Sequence, residues 1–291
     1  MVWLPRWGCD GMIGSAQKLL MARAGVPAGG NDVWIDPDLA NASYDSVSFN
    51  VLAQESSPHG IFFKSDGSKV YICGTSSDSI NEYDLGTAWD VSTCSFSQSF
   101  SVLSQEGFVT DLFFKPDGTK FYIIGSTNDT VNEYSLSTAW DVSTASYSQN
   151  FSIASQESVA QGLCFSDNGR KLFIVGVVND TVYQYSLSSA WDVSSASYDS
   201  KSFSVATQET NPNALFFSPS LDMMFVVGSA SNSVHEYALS TASDVSSASY
   251  VQSFSVASQE NNTRGISFKD DGSKMYIVGL GSDEIYQYST A

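Results

Sequence analysis

Five different polar side chains occupy one recurring position of this sequence, and they are its clearest candidates for binding chemistry. They stand two residues before a short apolar run in successive copies of a repeat: His59, Thr110, Gln161, Asn213 and Arg264. Scaffold positions keep one residue type, whereas positions used for recognition vary. Polar groups held on strand ends could hydrogen-bond a sugar or a peptide at low entropic cost. We therefore predict a ligand-binding site here, against the alternative of unconstrained, solvated loop residues.

Catalytic chemistry finds less support. The two histidines, His59 and His235, have no serine or cysteine partner at a spacing that resembles a nucleophile motif. A glycosidase needs two or three converging carboxylates, and Asp111 is the one acid that departs from the repeat near the predicted site. The ligand spacings of zinc sites and EF-hand loops are absent from the sequence. We predict no catalytic residue, no metal site and no cofactor.

The variable positions are embedded in a repeat that covers most of the chain. A Gln-Glu pair recurs with spacings of 51, 51, 52 and 51 residues, and a glycine and a tyrosine keep the same step. The pairs are Gln54-Glu55, Gln105-Glu106, Gln156-Glu157, Gln208-Glu209 and Gln259-Glu260; the glycines are Gly74, Gly125, Gly176, Gly228 and Gly279. A fixed period of this length indicates a repeat architecture.

Each copy predicts four short strands. Asp66-Gly67 and its equivalents are strong hairpin signals, because both residues tolerate positive φ. The stretch from Tyr147 to Ile153 alternates apolar and polar residues, which is typical of a half-buried strand. Four antiparallel strands in a unit of this length are typical of a propeller blade.

The ends of the chain predict how the ring closes. The fifth copy stops at Ala291 without a fourth strand, and an unpaired fourth strand, Tyr44 to Val51, precedes the first copy. We predict an all-β, five-bladed β-propeller in which the N-terminal strand completes the last blade. The fourth blade should be the least regular, because Leu221 stands in its turn and Ser243 replaces a recurrent tryptophan.

Positions that recur across the copies are interpreted as scaffold. They comprise the Gln-Glu pairs, the loop residues Asp78, Asp129, Asp180, Asn232 and Asp283, and the tryptophans Trp89, Trp140 and Trp191. The alternatives are a ring of metal or sugar sites built from the acids, and sugar stacking on the tryptophans. Glu82, Glu133 and Glu236 are expected to point to solvent.

Residues 1–40 lie outside the repeat and are predicted to form an N-terminal arm, with the propeller spanning residues 41–291. The arm carries Trp3 and Trp7, and a short helix from Ser15 to Ala24 would include Leu19 and Leu20. These four residues, Trp3, Trp7, Leu19 and Leu20, are predicted to dock on other proteins of a virion or surface assembly. The alternatives are that the arm folds over the propeller, remains disordered or is a secretory signal.

Composition limits the partners. The net charge is −18 with only 13 lysines and arginines, which argues against nucleic acid and anionic membranes as partners. No segment is long and apolar enough to predict membrane insertion. The acidic balance fits a virion or extracellular setting. The four cysteines do not form a disulfide pattern, and buried free thiols are the expectation.

The segment from Pro116 to Tyr147 resembles the YVTN and NHL-like β-propeller repeats. The combination of Ser-Gln-Glu with Phe-Phe-Lys-Pro-Asp-Gly-Thr-Lys and Leu-Ser-Thr-Ala-Trp-Asp-Val-Ser-Thr-Ala is similar to a repeat family of tailed-phage and prophage structural proteins. The resemblance covers about residues 41–291. It implies a non-enzymatic virion-associated structural or adhesin protein that binds a host glycan or protein. A purely structural decoration protein and a glycan-processing enzyme remain the alternatives.

Overall fold

The computed structural model describes residues 34–290, which form twenty strands in five antiparallel sheets of four strands each. Blade 1 contains β2 (Pro58–Phe63), β3 (Lys69–Gly74), β4 (Ser79–Leu85) and β5 (Cys94–Ser101); blade 2 contains β6 (Val109–Phe114), β7 (Lys120–Gly125), β8 (Thr130–Leu136) and β9 (Ala145–Ser152). Blade 3 contains β10 (Ala160–Phe165), β11 (Lys171–Gly176), β12 (Thr181–Leu187) and β13 (Ala196–Ser204); blade 4 contains β14 (Pro212–Phe217), β15 (Met223–Gly228), β16 (Ser233–Leu239) and β17 (Ala248–Ser255). Blade 5 contains β18 (Thr263–Phe268), β19 (Lys274–Gly279), β20 (Glu284–Ser289) and β1 (Ser43–Asn50).

The five innermost strands form a closed ring. Each of β2, β6, β10, β14 and β18 contacts the next, and β18 contacts β2 again. The predicted fold, an all-β five-bladed propeller, is confirmed. Each sheet has two short edge strands: the inner edge lies against the inner strands of the neighbouring blades in the ring, and the outer edge lies at the rim.

The predicted closing strand is also confirmed. Strand β1 pairs antiparallel with β20, with Tyr44 opposite Tyr288 and Phe49 opposite Ile285. The register shifts between Tyr44 and Val47, where Ser46 has φ 60°. This is the bulge expected from the additional residue in this strand. The ring is therefore closed by pairing between two strands that are far apart in the sequence.

Residues 34–40, which the sequence grouped with the arm, pack on the propeller. Trp34 stacks on Phe216 of blade 4 with ring centroids 6.0 Å apart and contacts Phe268 of blade 5 at 6.2 Å. Asp38 caps a short 3₁₀ helix, Leu39–Asn41, in which Leu39 is buried. The N-terminal segment thus supplies blade 5 with a corner as well as a strand.

The core lies between blades, because each apolar cluster draws on two neighbours. Tyr71 of blade 1 and Phe114 of blade 2 have ring centroids 4.2 Å apart, and both are fully buried. Burial of large aromatic rings is a major source of packing energy. The ring closure therefore adds an entire interface between blades 5 and 1, including the contact of Phe63 with Tyr276 at 4.2 Å.

Blade 4 departs from the others at its corner, as predicted. In blades 1 to 3 a positive-φ glycine lies under a tryptophan ring, as Gly118 lies under Trp140. In blade 4 Leu221 has φ 57° and Ser243 has φ 60°. The Leu221 side chain packs on the adjoining core cluster where a tryptophan would otherwise lie. A glycine–tryptophan pair has been replaced by a leucine–serine pair.

Candidate functional site

The five predicted ligand-binding residues all lie at a bulge in the innermost strand of their blade. The register of β2 with β3 shifts between Pro58 and Gly60, so that His59 is the extra residue, and the same shift recurs in every blade. Because these strands form the closed ring, the five residues surround the central channel. Their exposed fractions are low: His59, Thr110, Gln161 and Asn213 are buried, and Arg264 is half-buried.

Three of these side chains connect one blade to the next. Thr110 Oγ1 donates to the carbonyl of Ala160 at 3.2 Å. Asn213 Nδ2 donates to the carbonyl of Thr263 at 2.8 Å, and Arg264 Nη1 donates to Asn213 Oδ1 at 3.0 Å. The varied polar residues therefore hydrogen-bond the inner strands of adjacent blades to each other. Their use by a ligand stays a prediction.

His59 lies in the same ring and is uncharged near neutrality. Its Nδ1 is 2.8 Å from the carbonyl of Ser57, and its ring meets Phe108 edge-on at 5.9 Å. Burial, together with the nearby charge of Arg264, lowers the pKa of His59 to about 4. A neutral imidazole with one nitrogen already bonded is a poor candidate for an acid catalyst.

Asp111 follows the ring position in blade 2 and is buried. Its two carboxylate oxygens accept hydrogen bonds from the backbone nitrogens of Leu112 at 2.9 Å and Leu163 at 3.0 Å. Burial raises the pKa of Asp111 by more than the two hydrogen bonds lower it, so that the pKa is about 8. A Cβ on Gly60 would lie 2.7 Å from Asp111 Oδ1, so blade 1 needs glycine to accommodate this carboxyl group.

The thiols in the described residues are free: Cys73 and Cys164 are buried, and Cys94 is half-buried. Burial raises the pKa of each thiol, and for Cys73 the charge of Asp111 raises it further. The thiolate is the nucleophilic form of cysteine. Cys73 and Cys164 are buried free thiols, as the sequence predicted, whereas Cys94 is only half-buried.

The repeated Gln-Glu pair fastens two loops of its blade. The buried Glu55 carboxylate accepts from the backbone nitrogens of Ser57 at 2.8 Å, Ser76 at 3.1 Å and Ser77 at 3.2 Å. Tyr83 donates to Gln54 Oε1 at 3.4 Å, and the equivalent tyrosine contacts recur in the other blades. These residues are scaffold, as predicted. Within residues 34–290, no group of three or more histidine, cysteine or acidic side chains could hold a metal ion.

The tryptophans and the strand glutamates form the contacts between blade corners. Trp140 lies between blades 1 and 2, where it stacks on Phe114 at 5.5 Å and its carbonyl accepts from Tyr71 Oη at 2.7 Å. Glu82 is buried rather than solvent-facing, so that expectation was wrong. Its Oε2 accepts from the backbone nitrogen of Val142 in the next blade at 3.1 Å, and Lys69 neutralises it at 2.5 Å. Glu133 and Glu236 are likewise buried.

An open cleft on blade 2 provides accessible polar groups that the sequence interpretation missed. Its volume is about 420 Å³. Its lining residues are Ser104, Gln105, Asn128, Thr130, Asn132, Tyr147 and Asn150. None of these side chains is charged, and Tyr147 is 41% exposed as a whole residue. The cleft combines amide groups with an aromatic face.

One lining residue of the cleft, Asn132, occupies a repeat position whose side chain differs between blades. Residues equivalent to Asn132 are Asn81, Tyr183, His235 and Tyr286. In blade 3 the Tyr183 ring packs 6.2 Å from Tyr198, and its hydroxyl accepts from Asn179 Nδ2 at 3.1 Å. In blade 2 the shorter Asn132 leaves the space beside Tyr147 open. The sequence shows that this third-strand position varies between blades. Only the structure shows that an open cleft lies beside it in blade 2.

The predicted docking residues of the arm, Trp3, Trp7, Leu19 and Leu20, lie outside the described residues. Between Trp34 and Thr290, no helix has the length and apolar character that crossing a membrane requires.

Comparison with known proteins identifies no family for this chain. No protein-family model matches the chain, and no curated protein matches its sequence. The chain is similar to the structure of a functionally unknown protein from Desulfotomaculum acetoxidans, with 16% identity and a TM-score of 0.47 over 76% of this chain and 62% of that one. It is also similar to a protein from Bacteroides uniformis, provisionally described as a 6-phosphogluconolactonase, with 12% identity and a TM-score of 0.46 over 76% and 63%. The chain spans less than two thirds of the length of either protein.

Proposed function

We propose that this protein is a non-enzymatic recognition protein of a virion or an extracellular surface. In this proposal the propeller binds a host-surface glycan or protein. Residues 1–33 fasten it to the other proteins of a larger assembly. The resemblance to phage structural repeats and the acidic composition support this assignment.

The observation that carries the proposal is that the candidate catalytic side chains, Asp111, His59 and His235, are buried. Asp111 is buried with both oxygens bonded to backbone nitrogens. His59 is buried and bonded to a carbonyl, and His235 is buried with Nε2 at 2.8 Å from Ser231 Oγ. These three side chains are thus held within the scaffold by burial and hydrogen bonds. The accessible cleft carries uncharged groups, which favours binding over acid–base chemistry.

The test compares attachment by two chains. The full chain and a chain beginning at residue 32, which keeps the Trp34 corner, are each measured for attachment to host cells and for incorporation into the parent particle. We expect both to attach as isolated proteins, while only the full chain is incorporated. Incorporation without attachment to any cell would favour the purely structural decoration protein. Glycan cleavage by the full chain would favour the enzyme.

A further inference from the structure

The geometry points to the blade 2 cleft as a binding site for an uncharged oligosaccharide. This inference rests on the proposed function, in that it names the site and the ligand class of the recognition protein.

The lining of the cleft is chemically unusual for this chain. The protein carries a net charge of −18, yet the lining side chains bear only amide, hydroxyl and phenol groups. An amide group both donates and accepts hydrogen bonds, as does each hydroxyl of a sugar. A cationic ligand would gain little from these groups, and an anionic ligand would meet the acidic surface around them. A neutral polyol matches the lining.

Tyr147 gives the cleft an aromatic face. Its ring stands edge-on to the buried Tyr134 at 5.7 Å, so the scaffold fixes its position while 41% of the residue stays exposed. A rigid tyrosine offers a large contact area with little conformational entropy to lose. The apolar face of a sugar ring could pack against it, while sugar hydroxyls reach the amides.

The amides are positioned before a ligand arrives. Asn128 Nδ2 donates to the carbonyl of Gln105 at 2.6 Å, and Asn132 Nδ2 donates to Thr130 Oγ1 at 3.2 Å. Tyr134 Oη donates to Gln105 Oε1 at 3.1 Å, which leaves the Gln105 amide nitrogen for another acceptor. Preorganised polar groups lower the ordering cost of binding.

Blade 2 is the blade in which these features coincide. Blade 1 has Asn81 at the position of Asn132, but Phe96 replaces Tyr147 and Ser99 replaces Asn150. In blade 5 the Tyr286 ring occupies the equivalent space, with its hydroxyl 2.9 Å from Ser282 Oγ. The fold therefore accepts a tyrosine at this position. Asn132→Tyr should fill the cleft with a side chain that blade 5 already accommodates.

The experiment applies the full chain to an array of immobilised neutral, sialylated and sulfated oligosaccharides, and then titrates the strongest neutral oligosaccharide in solution. We expect binding to neutral members and a loss of at least about tenfold in affinity for Asn132→Tyr, because its ring fills the cleft. Tyr147→Ala should weaken binding similarly. The matched control is Asn81→Tyr, which makes the same change in blade 1 and should bind like the unaltered chain. Thermal unfolding of all variants checks folding.

Each other outcome overturns the inference in a distinct way. If the array is bound and Asn132→Tyr binds as well as Asn81→Tyr, the glycan site lies elsewhere and the proposed function survives. If only charged oligosaccharides or peptides are bound, the ligand class is wrong. If the chain attaches to host cells but to no oligosaccharide, the recognition function stands and this inference fails. Attachment to neither removes both.

Discussion

The carboxyl group of Glu55 lies directly over Gly74, so that a Cβ atom on Gly74 would be 2.6 Å from Glu55 Cδ. The same pair of residues meets in the other four blades, because the glutamate enters the space that a side chain on the glycine would fill. The glutamate can then bond the loop that follows the glycine. The recurring glutamate and the recurring glycine of the sequence therefore contact each other in the structure.

This contact predicts that Gly74→Ala destabilises the protein. The added methyl group would lie 2.2 Å from the carbonyl oxygen of Ser57 and 2.6 Å from Glu55 Cδ, so both would have to move. Overpacking of this kind costs about 1–3 kcal/mol. Urea unfolding should show a lower midpoint with an unchanged slope. Gly86→Ala is the matched control in the same blade, because its Cβ would meet nothing closer than Thr93 Cβ at 3.6 Å. An equal effect of both changes would contradict the explanation.

Much of this fold could be predicted because the residues that form each strand and turn recur in five copies. The Asp-Gly turns predicted the hairpins, and the missing fourth strand predicted the closure by β1. The corner at Trp34 was missed, because Trp34 stands four residues before Asp38 whereas Trp140 is adjacent to Asp141. The signal was present in Asp38 followed by Ala-Ser-Tyr at the same spacing as after Asp141.

The candidate site was harder to predict. A side chain that differs between blades at one repeat position can be either buried or exposed, and the sequence does not distinguish the two. His59 and Asn213 vary between blades as recognition residues would, yet both are buried and bonded within the channel ring. Asn132 varies in the same manner and is itself buried, but it lines an open cleft that also contains the exposed Tyr147. Sequence variation indicates that scaffold constraint is relaxed, but only packing shows whether a ligand can reach the residue.

The closure predicts unequal effects of two N-terminal deletions. Removing residues 41–52 deletes β1 and opens the ring, so we expect loss of cooperative unfolding. Removing residues 1–31 keeps β1 and the Trp34 corner, and the melting temperature should change little. Trp34→Ala in the full chain should lie between them, with a loss of about 1–3 kcal/mol for the contacts with Phe216 and Phe268. Calorimetry of the three proteins checks the order, and equal melting temperatures would contradict it.

Asn213 and Arg264 are predicted to be energetically coupled. Asn213→Ala removes a buried bond to the carbonyl of Thr263 and leaves Arg264 without its bond to Asn213 Oδ1, which should cost about 1–3 kcal/mol. In a double-mutant cycle, Asn213→Ala with Arg264→Ala should cost less than the sum of the single changes by at least about 0.5 kcal/mol. Strict additivity in urea unfolding would show that the bond contributes nothing measurable.

Asp111 predicts a falling stability with rising pH. Its folded pKa is about 8, above the ordinary value near 4, so the native state holds a proton that the unfolded state releases in this interval. The stabilising contribution is present below about pH 4 and is lost as pH rises towards 8, by at most about 1.4 kcal/mol per pH unit. His59 acts in the opposite direction: its folded pKa of about 4 makes stability fall as pH drops from 6.5 towards 4.

Comparison of variants isolates Asp111 from the other ionisable groups. The difference in unfolding free energy between Asp111→Asn and the unaltered chain should move in favour of the variant from about pH 4.5 to about pH 8. Asp111→Ala, which introduces the residue that blade 4 has as Ala214, should show the same trend from a lower starting stability, because Leu163 loses its acceptor. A difference that is constant across this pH range would show that Asp111 does not titrate as described.

The blade 4 corner predicts that two changes, each harmful alone, restore stability together. Leu221→Gly removes the side chain that fills the corner, while Ser243→Trp places a ring against the side chain of Leu221, where the tryptophan corners in blades 1 to 3 have glycine. We expect each single variant to lose about 1–3 kcal/mol. In the double variant the indole can stack over the new glycine and beside Phe217, as Trp140 stacks over Gly118 and Phe114. The cycle measured by urea unfolding should give a favourable coupling of at least about 1 kcal/mol. Losses that simply add would mean that Leu221 and Ser243 do not replace the glycine–tryptophan pair of the other blades.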